Sequence, residues 1–133
     1  MIFTLILGTI VNGLGDMGMS LSIASIGSAI GTGIAGMSAI GAWKKMIVSG
    51  QKAATALLIF VGAPLSQVIY GMILKNAIAE ANLDPDSYVW QTILGLAAGA
   101  AMGASAIFQG KTGARASDAI ATARTTRIPL ANL

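Results

Sequence analysis

The residues best suited to chemistry lie in the middle third of the chain. Ala63, Ser66, Gln67 and Tyr70 stand at i, i+3, i+4 and i+7, so a helix carries them on one face. Pro64 beside them has no N–H, which leaves the Phe60 carbonyl without its helical partner and frees distorted backbone to offer oxygen. A hydroxyl, an amide and a phenol stacked next to a proline make an oxygen-rich niche, and hard cations such as sodium are bound by groups of that kind. Interhelical hydrogen bonding by Ser66 and Gln67, the polar glue of membrane helices, is the competing reading of the same side chains.

A second amide, Gln109, is a candidate partner. It precedes Lys111, but the run KTGARASDAIATA contains no proline and extends a helix to about Ala123. Gln109 then lies 14 residues from that end, and Gln67 lies 15 from Lys52. At ~1.5 Å per residue the two amides come to similar depth. Lys111, Arg115 and Asp118 must then face water or a polar lumen, with Arg115 and Asp118 spaced to pair at i, i+3.

The elements that position these groups follow from composition and charge spacing. The 133 residues are 55% hydrophobic and only 10% charged, where soluble domains run to about a quarter charged. The chain is therefore expected to be an all-α membrane protein. With no His and no Cys, the usual zinc sites, iron–sulfur clusters, disulfides, thiol nucleophiles and Ser-His-Asp triads are excluded, and chemistry must use oxygen ligands. Uncharged runs of 27 residues between Asp16 and Lys44, 22 between Lys52 and Lys75, and 24 between Asp86 and Lys111 each exceed the ~20 a membrane helix needs. The predicted layout is an N-terminal extension and helix 1 over 1–43, a loop over 44–52, helix 2 over 53–74, a loop over 75–88, helix 3 with its extension over 89–123, and a tail over 124–133. Residues 1–15 lack the basic start and cleavage signal of a secretory peptide, so they prolong helix 1 outward or lie in the interface.

Basic residues set the expected orientation. Lys44, Lys45 and Lys52 mark the first connection, and Lys111, Arg115, Arg124 and Arg127 mark the C-terminal part. The second connection carries Lys75, Glu80, Asp84 and Asp86. The positive-inside rule puts the 44–52 loop and the tail in the cytoplasm and the N-terminus outside a cell membrane. The net charge of +3 is thus a topology signal and needs no nucleic-acid partner. Small residues recur at four-residue steps: Gly27 and Gly31 with Ala35 and Ala39, Gly36 in the neighbouring row, and Gly95, Gly99 and Gly103 in helix 3. Such rows let backbones approach closely in lipid, and because they cover more than one side of each helix, a homo-oligomer with many helices is expected. Setting Ser25–Trp43 against Ala106–Arg124, at an offset of 81, aligns Ile26 with Ile107, Ala35 with Ala116 and Ala42 with Ala123. The match is sparse but suggests tandem hairpins, one and a half of them, with helix 2 the return arm of the first.

The runs GAPLSQVIYG (62–71), AIFQGKTGARASDA (106–119) and SIGSAIGTGIAG (25–36) resemble the proteolipid subunit, called K or c, of V-type and A-type rotary ATPases. The similarity covers about Met17 to Ala123. It implies two fused hairpins with four membrane helices, assembled in a homo-oligomeric ring that turns against a stator, contacts central-stalk subunits and membrane lipid, and carries sodium ions or protons. It further implies that the Ala63 carbonyl, Ser66, Gln67 and Gln109 ligate the ion, that Tyr70 hydrogen-bonds an essential carboxylate, and that no other cofactor is needed. The family places that carboxylate, a Glu, in a fourth helix, for which the ten residues RTTRIPLANL after Ala123 leave no room. Asp118, nine residues after Gln109, points to the opposite side of its helix. The expectation is a rotor subunit shortened by a premature stop, a frameshift or an incomplete gene model, and not an enzyme, since no mid-membrane acid or base is present. A small multi-pass scaffold or holin-like pore is the alternative that needs no carboxylate.

Overall fold

The computed structural model describes residues 16–81 and 88–126. Among them the chain forms helix α1 (Met19–Val48), helix α2 (Leu57–Gly62), a 3-10 turn (Ala63–Leu65), helix α3 (Ser66–Glu80) and helix α4 (Tyr88–Thr125), with no strand. The short α2, the turn and α3 make one continuous arm. Three helices, Met19–Val48, Leu57–Glu80 and Val89–Thr125, are long and apolar enough to cross a membrane, so the chain is an all-α membrane protein with three spans among the described residues. Residues 1–15, the connection bearing Asp84 and Asp86, and the tail from Arg127 lie outside the described residues.

Helix ends are set by local chemistry more than by charge. At the start of α1, Met17 (φ 52°) and Gly18 (φ 77°) are left-handed, so α1 does not continue smoothly from the preceding chain. An outward prolongation of helix 1 is therefore broken at this point. The buried Asp16 carboxylate accepts from the N–H of Gly18 at 3.0 Å and of Ser20 at 2.9 Å, supplying the first turn with acceptors where the helix dipole favours an anion. At the other end Gly50 (φ 71°) closes α1: its N–H donates to the Ile47 carbonyl, and the Gln51 N–H to that of Met46, the pairing of a Schellman stop. Lys44 and Lys45 thus sit inside the helix and not in the loop, and α3 runs through Lys75 to Glu80. Lys and Glu are good helix formers, so an uncharged run marks the apolar layer and not the helix.

Packing follows the small residues. The buried positions of α1 include Ser20, Ala24, Ser28, Gly31, Ala35, Ala39, Ala42 and Met46, in steps of 4, 4 and 3 that repeat every eleven residues, a period that winds helices right-handedly. In α4 the buried face runs Gly95, Gly99, Gly103, Ala106, Gly110, Gly113, Ser117, Ala121, in nearly the same steps. The two helices therefore stay in contact over most of their length. They run parallel: Asp16 lies against Gly95, Gly27 against Gly103, Gly31 between Ala106 and Gly110. Further along, the Ser38 hydroxyl donates to the Ala114 carbonyl at 2.8 Å and Lys45 Nζ to Thr122 Oγ1 at 3.0 Å. These pairs are offset by 75 to 79 residues, close to the 81 of the sparse internal match. The middle arm runs antiparallel to both, with Ser28 Oγ donating to the Pro64 carbonyl at 2.7 Å and Ser20 Oγ to that of Gly71 at 3.4 Å. Ala39, Ala42, Met46, Ala54, Leu57 and Ala121 close an apolar cluster at the Lys45 end, where Trp43 Nε1 donates to the Ala54 carbonyl at 2.7 Å.

Candidate functional site

The arm is distorted where proline predicts it. Pro64 lies in the 3-10 turn, and its missing N–H leaves the Phe60 carbonyl to face α4 instead. An ideal Cβ on Gly113 would stand 3.0 Å from both the Phe60 oxygen and the Phe60 Cβ, so a side chain here pushes the arm back by a few tenths of an ångström. The Ser66 hydroxyl donates to the Ala63 carbonyl at 2.9 Å, which places hydroxyl and carbonyl oxygens side by side.

Beside this kink an open cleft of about 400 Å³ separates the arm from α4, lined by Phe60, Ala63, Ser105, Phe108, Gln109, Thr112 and Gly113. The Gln109 Oε1 atom is buried without a hydrogen-bond partner. A buried amide oxygen left unpaired costs about 1–3 kcal/mol, and the Thr32 and Ser117 hydroxyl oxygens are likewise buried without a partner. Thr112 Oγ1 donates to the Phe108 carbonyl at 2.9 Å and retains acceptor capacity toward the cleft. Carbonyl, amide and hydroxyl oxygens in this setting suit a hard cation or a hydrogen-bond donor. Among the described residues no cluster of three or more Asp and Glu forms a metal site, and no acid lines the cleft.

The predicted residues separate into two groups. Ala63 and Gln109 share the cleft. Gln67 does not line it: it is buried together with Pro64 and Gly71, on the face of the arm that carries the Ser28 and Ser20 hydrogen bonds. Ser66 is half-buried next to Ala63, and Tyr70 is exposed. The 3-10 turn explains the division. An α-helix leaves Ala63 and Gln67 about 40° apart, while 3-10 geometry, at about 120° per residue, eclipses Pro64 and Gln67 and swings the amide toward α1. Depth differs as well. Gln67 stands near residues 25–26 of α1, since Pro64 is beside Ser28 and Gly71 beside Ser20 and Ala24. Gln109 stands near Gly31, since Gly110 packs on it. The offset is about 8 Å by that ruler and about 5 Å by the Phe60–Gly113 contact, roughly one helical turn. Counting residues from the charged ends assumed arms of equal reach, and α4 outruns the middle arm.

All six glycines predicted to pack helices do so to some degree. Gly27, Gly31, Gly95, Gly99 and Gly103 meet backbone or side-chain atoms closely, and Gly36 meets only Val61 Cγ1 at 3.8 Å. Gly71, Gly110 and Gly113 belong to the same set. Continuing the 4-4-3 pattern of small residues past Gln109 finds Gly110, and a step of three from there finds Gly113. Ser105 and Thr112 line the cleft as well, and their signal is their spacing of four before and three after Gln109.

No protein-family model matches this chain, and no curated protein or solved structure matches it either.

Proposed function

We propose that the chain is a proteolipid of the rotor-ring kind, a subunit of a V/A-type ATPase that assembles as a homo-oligomeric ring and carries sodium ions or protons past a stator without catalysing a reaction itself. Support comes first from the three sequence runs at 25–36, 62–71 and 106–119. The observation that carries the reading is the buried, unpartnered oxygen of Gln109, a residue that lines a cleft together with Ala63, beside the Pro64 kink. Parallel packing of α1 and α4 through glycine rows supports it too, because first arms of two tandem hairpins lie parallel.

In this reading Gln109, the Ala63 carbonyl and the Ser66 hydroxyl form the neutral part of an ion site. Gln67, buried toward α1 about one turn away, is left out of this set, and Tyr70 is exposed on the arm. Neutral oxygens alone orient an ion but do not make its release depend on a stator charge. A carboxylate from a fourth helix docked on the cleft supplies that dependence, since a buried acid must be neutralised by a cation or a proton before it faces lipid. By the positive-inside rule, the basic residues at the C-terminal end of α1, in the connection after it and in α4 argue for those ends in the cytoplasm and for the N-terminus outside.

Native mass spectrometry of the chain extracted in a mild detergent tests the assembly. A homo-oligomer of one fixed stoichiometry, its thermal midpoint raised by sodium but not by choline, is the expected result. Monomers indifferent to sodium overturn the reading.

A further inference from the structure

One exposed face of α4 is not used by the site above. Ala97, Ala100, Ala104, Lys111, Arg115, Asp118 and Thr122 fall at helical spacing on one side and are all exposed. The face is apolar as far as Ala104 and charged from Lys111 onward, a polar run of about 16 Å. Two clefts meet on it at Ala114 and Arg115. One, of about 530 Å³, is lined by Ile34, Lys111, Thr112, Ala114 and Arg115. The other, of about 340 Å³, brings in Ser38, Lys45 and Asp118. On the opposite side of the molecule, near the same height, the arm exposes Leu58 and Ile59, 56% and 72% accessible, as a lipid-facing helix does.

Lys111 and Arg115 therefore lie at a level where the arm contacts hydrocarbon, and these cations need a counter-charge. Lys111 Nζ lies 5.0 Å over the Phe108 ring, which positions the ammonium but leaves its charge uncompensated. The hydroxyls of Ser38, Thr112 and Thr122 are already engaged with Ala114, Phe108 and Lys45. Three cations, Lys45, Lys111 and Arg115, stand against the single carboxylate of Asp118. Planar Arg115 suits bidentate recognition of a phosphate. The apolar strip Ala97–Ala104, with Ile30 of α1 also exposed, lies directly beyond these cations. Charge at one end and hydrocarbon along the rest is the shape of a lipid, whereas a free anion has no use for the strip.

We propose that this face of α4 seats one anionic phospholipid, its phosphate held by Lys111 and Arg115 with Lys45 nearby, and its acyl chains laid along Ala104, Ala100 and Ala97. Basic clefts between membrane helices bind acidic headgroups in this way. The seat adjoins the Gln109 cleft at Thr112, which lines both, but takes in neither Ala63 nor Gln109 and does not depend on the rotor reading.

The test uses the purified full chain in detergent micelles doped with phosphatidylglycerol or phosphatidylcholine, with lipid adducts counted by native mass spectrometry. Phosphatidylglycerol is expected to be retained and phosphatidylcholine lost. Inorganic phosphate in large excess is expected not to displace the lipid. K111Q/R115Q should lower retention about 30-fold, on the scale of two surface cations, and D118N should raise it. Equal retention of the two lipids overturns the proposal, as does displacement by inorganic phosphate or unchanged retention in K111Q/R115Q. If that double variant fails to fold, a D118N variant with unaltered retention overturns it equally.

Discussion

Substituting the glycines of the α1–α4 seam one at a time gives a graded test of the packing. An ideal Cβ on Gly27 falls on the backbone of Gly103, where no rotamer change makes room. The helices must part by about 1 Å, and a gap of that size forfeits a quarter to a half of each dispersion contact across the seam. Overpacking of this kind costs about 1–3 kcal/mol, and the better helix propensity of Ala returns up to about 1 kcal/mol. G27A is therefore expected to lose about 1–2 kcal/mol. Gly99 is an intermediate case, with the Met19 oxygen at 2.9 Å and Ser20 Cα at 3.1 Å from the added carbon. Nothing lies within 4 Å of a Cβ on Gly33, so G33A keeps the seam and gains up to about 1 kcal/mol from propensity alone. Unfolding by SDS titration from mild-detergent micelles, followed by the fluorescence of Trp43 and Trp90 and by circular dichroism, reads the series. The order of midpoints should be G33A at or above wild type, then G99A, then G27A. Equal midpoints for G27A and G33A would refute the parallel α1–α4 packing.

The arm and its site give further expectations. Because the chain has no cysteine, a double variant F60C/G113C can be oxidised cleanly. The contact of an ideal Gly113 Cβ with Phe60 Cβ at 3.0 Å is within relaxation of disulfide geometry, so rapid cross-linking within one chain is expected, and its failure would displace the register that sets the depth of Gln109. S28A removes the 2.7 Å bond to the Pro64 carbonyl and should cost about 0.6 kcal/mol, the average for such bonds in a membrane protein, and no more than about 1.7 kcal/mol; a midpoint equal to wild type speaks against the bond. D16A uncaps α1 by deleting acceptors for Gly18 and Ser20, with an expected loss of about 1 kcal/mol in the same titration. Q109L removes an unpaired buried oxygen; thermal stability without sodium should be unchanged or higher, while stabilisation by sodium disappears. A sodium response that survives Q109L means that the amide is not a ligand.

Much of this fold is decided by residue type alone. Thirteen charges in 133 residues, parted by uncharged runs, admit three membrane helices, because a backbone in hydrocarbon must bond within itself. Pro64 fixes the distortion of the middle arm, since it has no N–H to give in any environment. Glycine spacing likewise foretold close backbone contact. Tertiary structure decided which helix meets which: α1 and α4 carry small residues at nearly the same steps of four and three, and closely matching rows keep two helices together over many turns. It also decided how the polar residues divide. The 3-10 turn rotates Gln67 toward α1, and the longer reach of α4 puts Gln109 about one turn away in depth, beside Ala63 and in an open cleft. Neither rotation nor relative height is written in the spacing of residues along one helix, because both depend on how far one helix slides and turns against another before its small residues interlock.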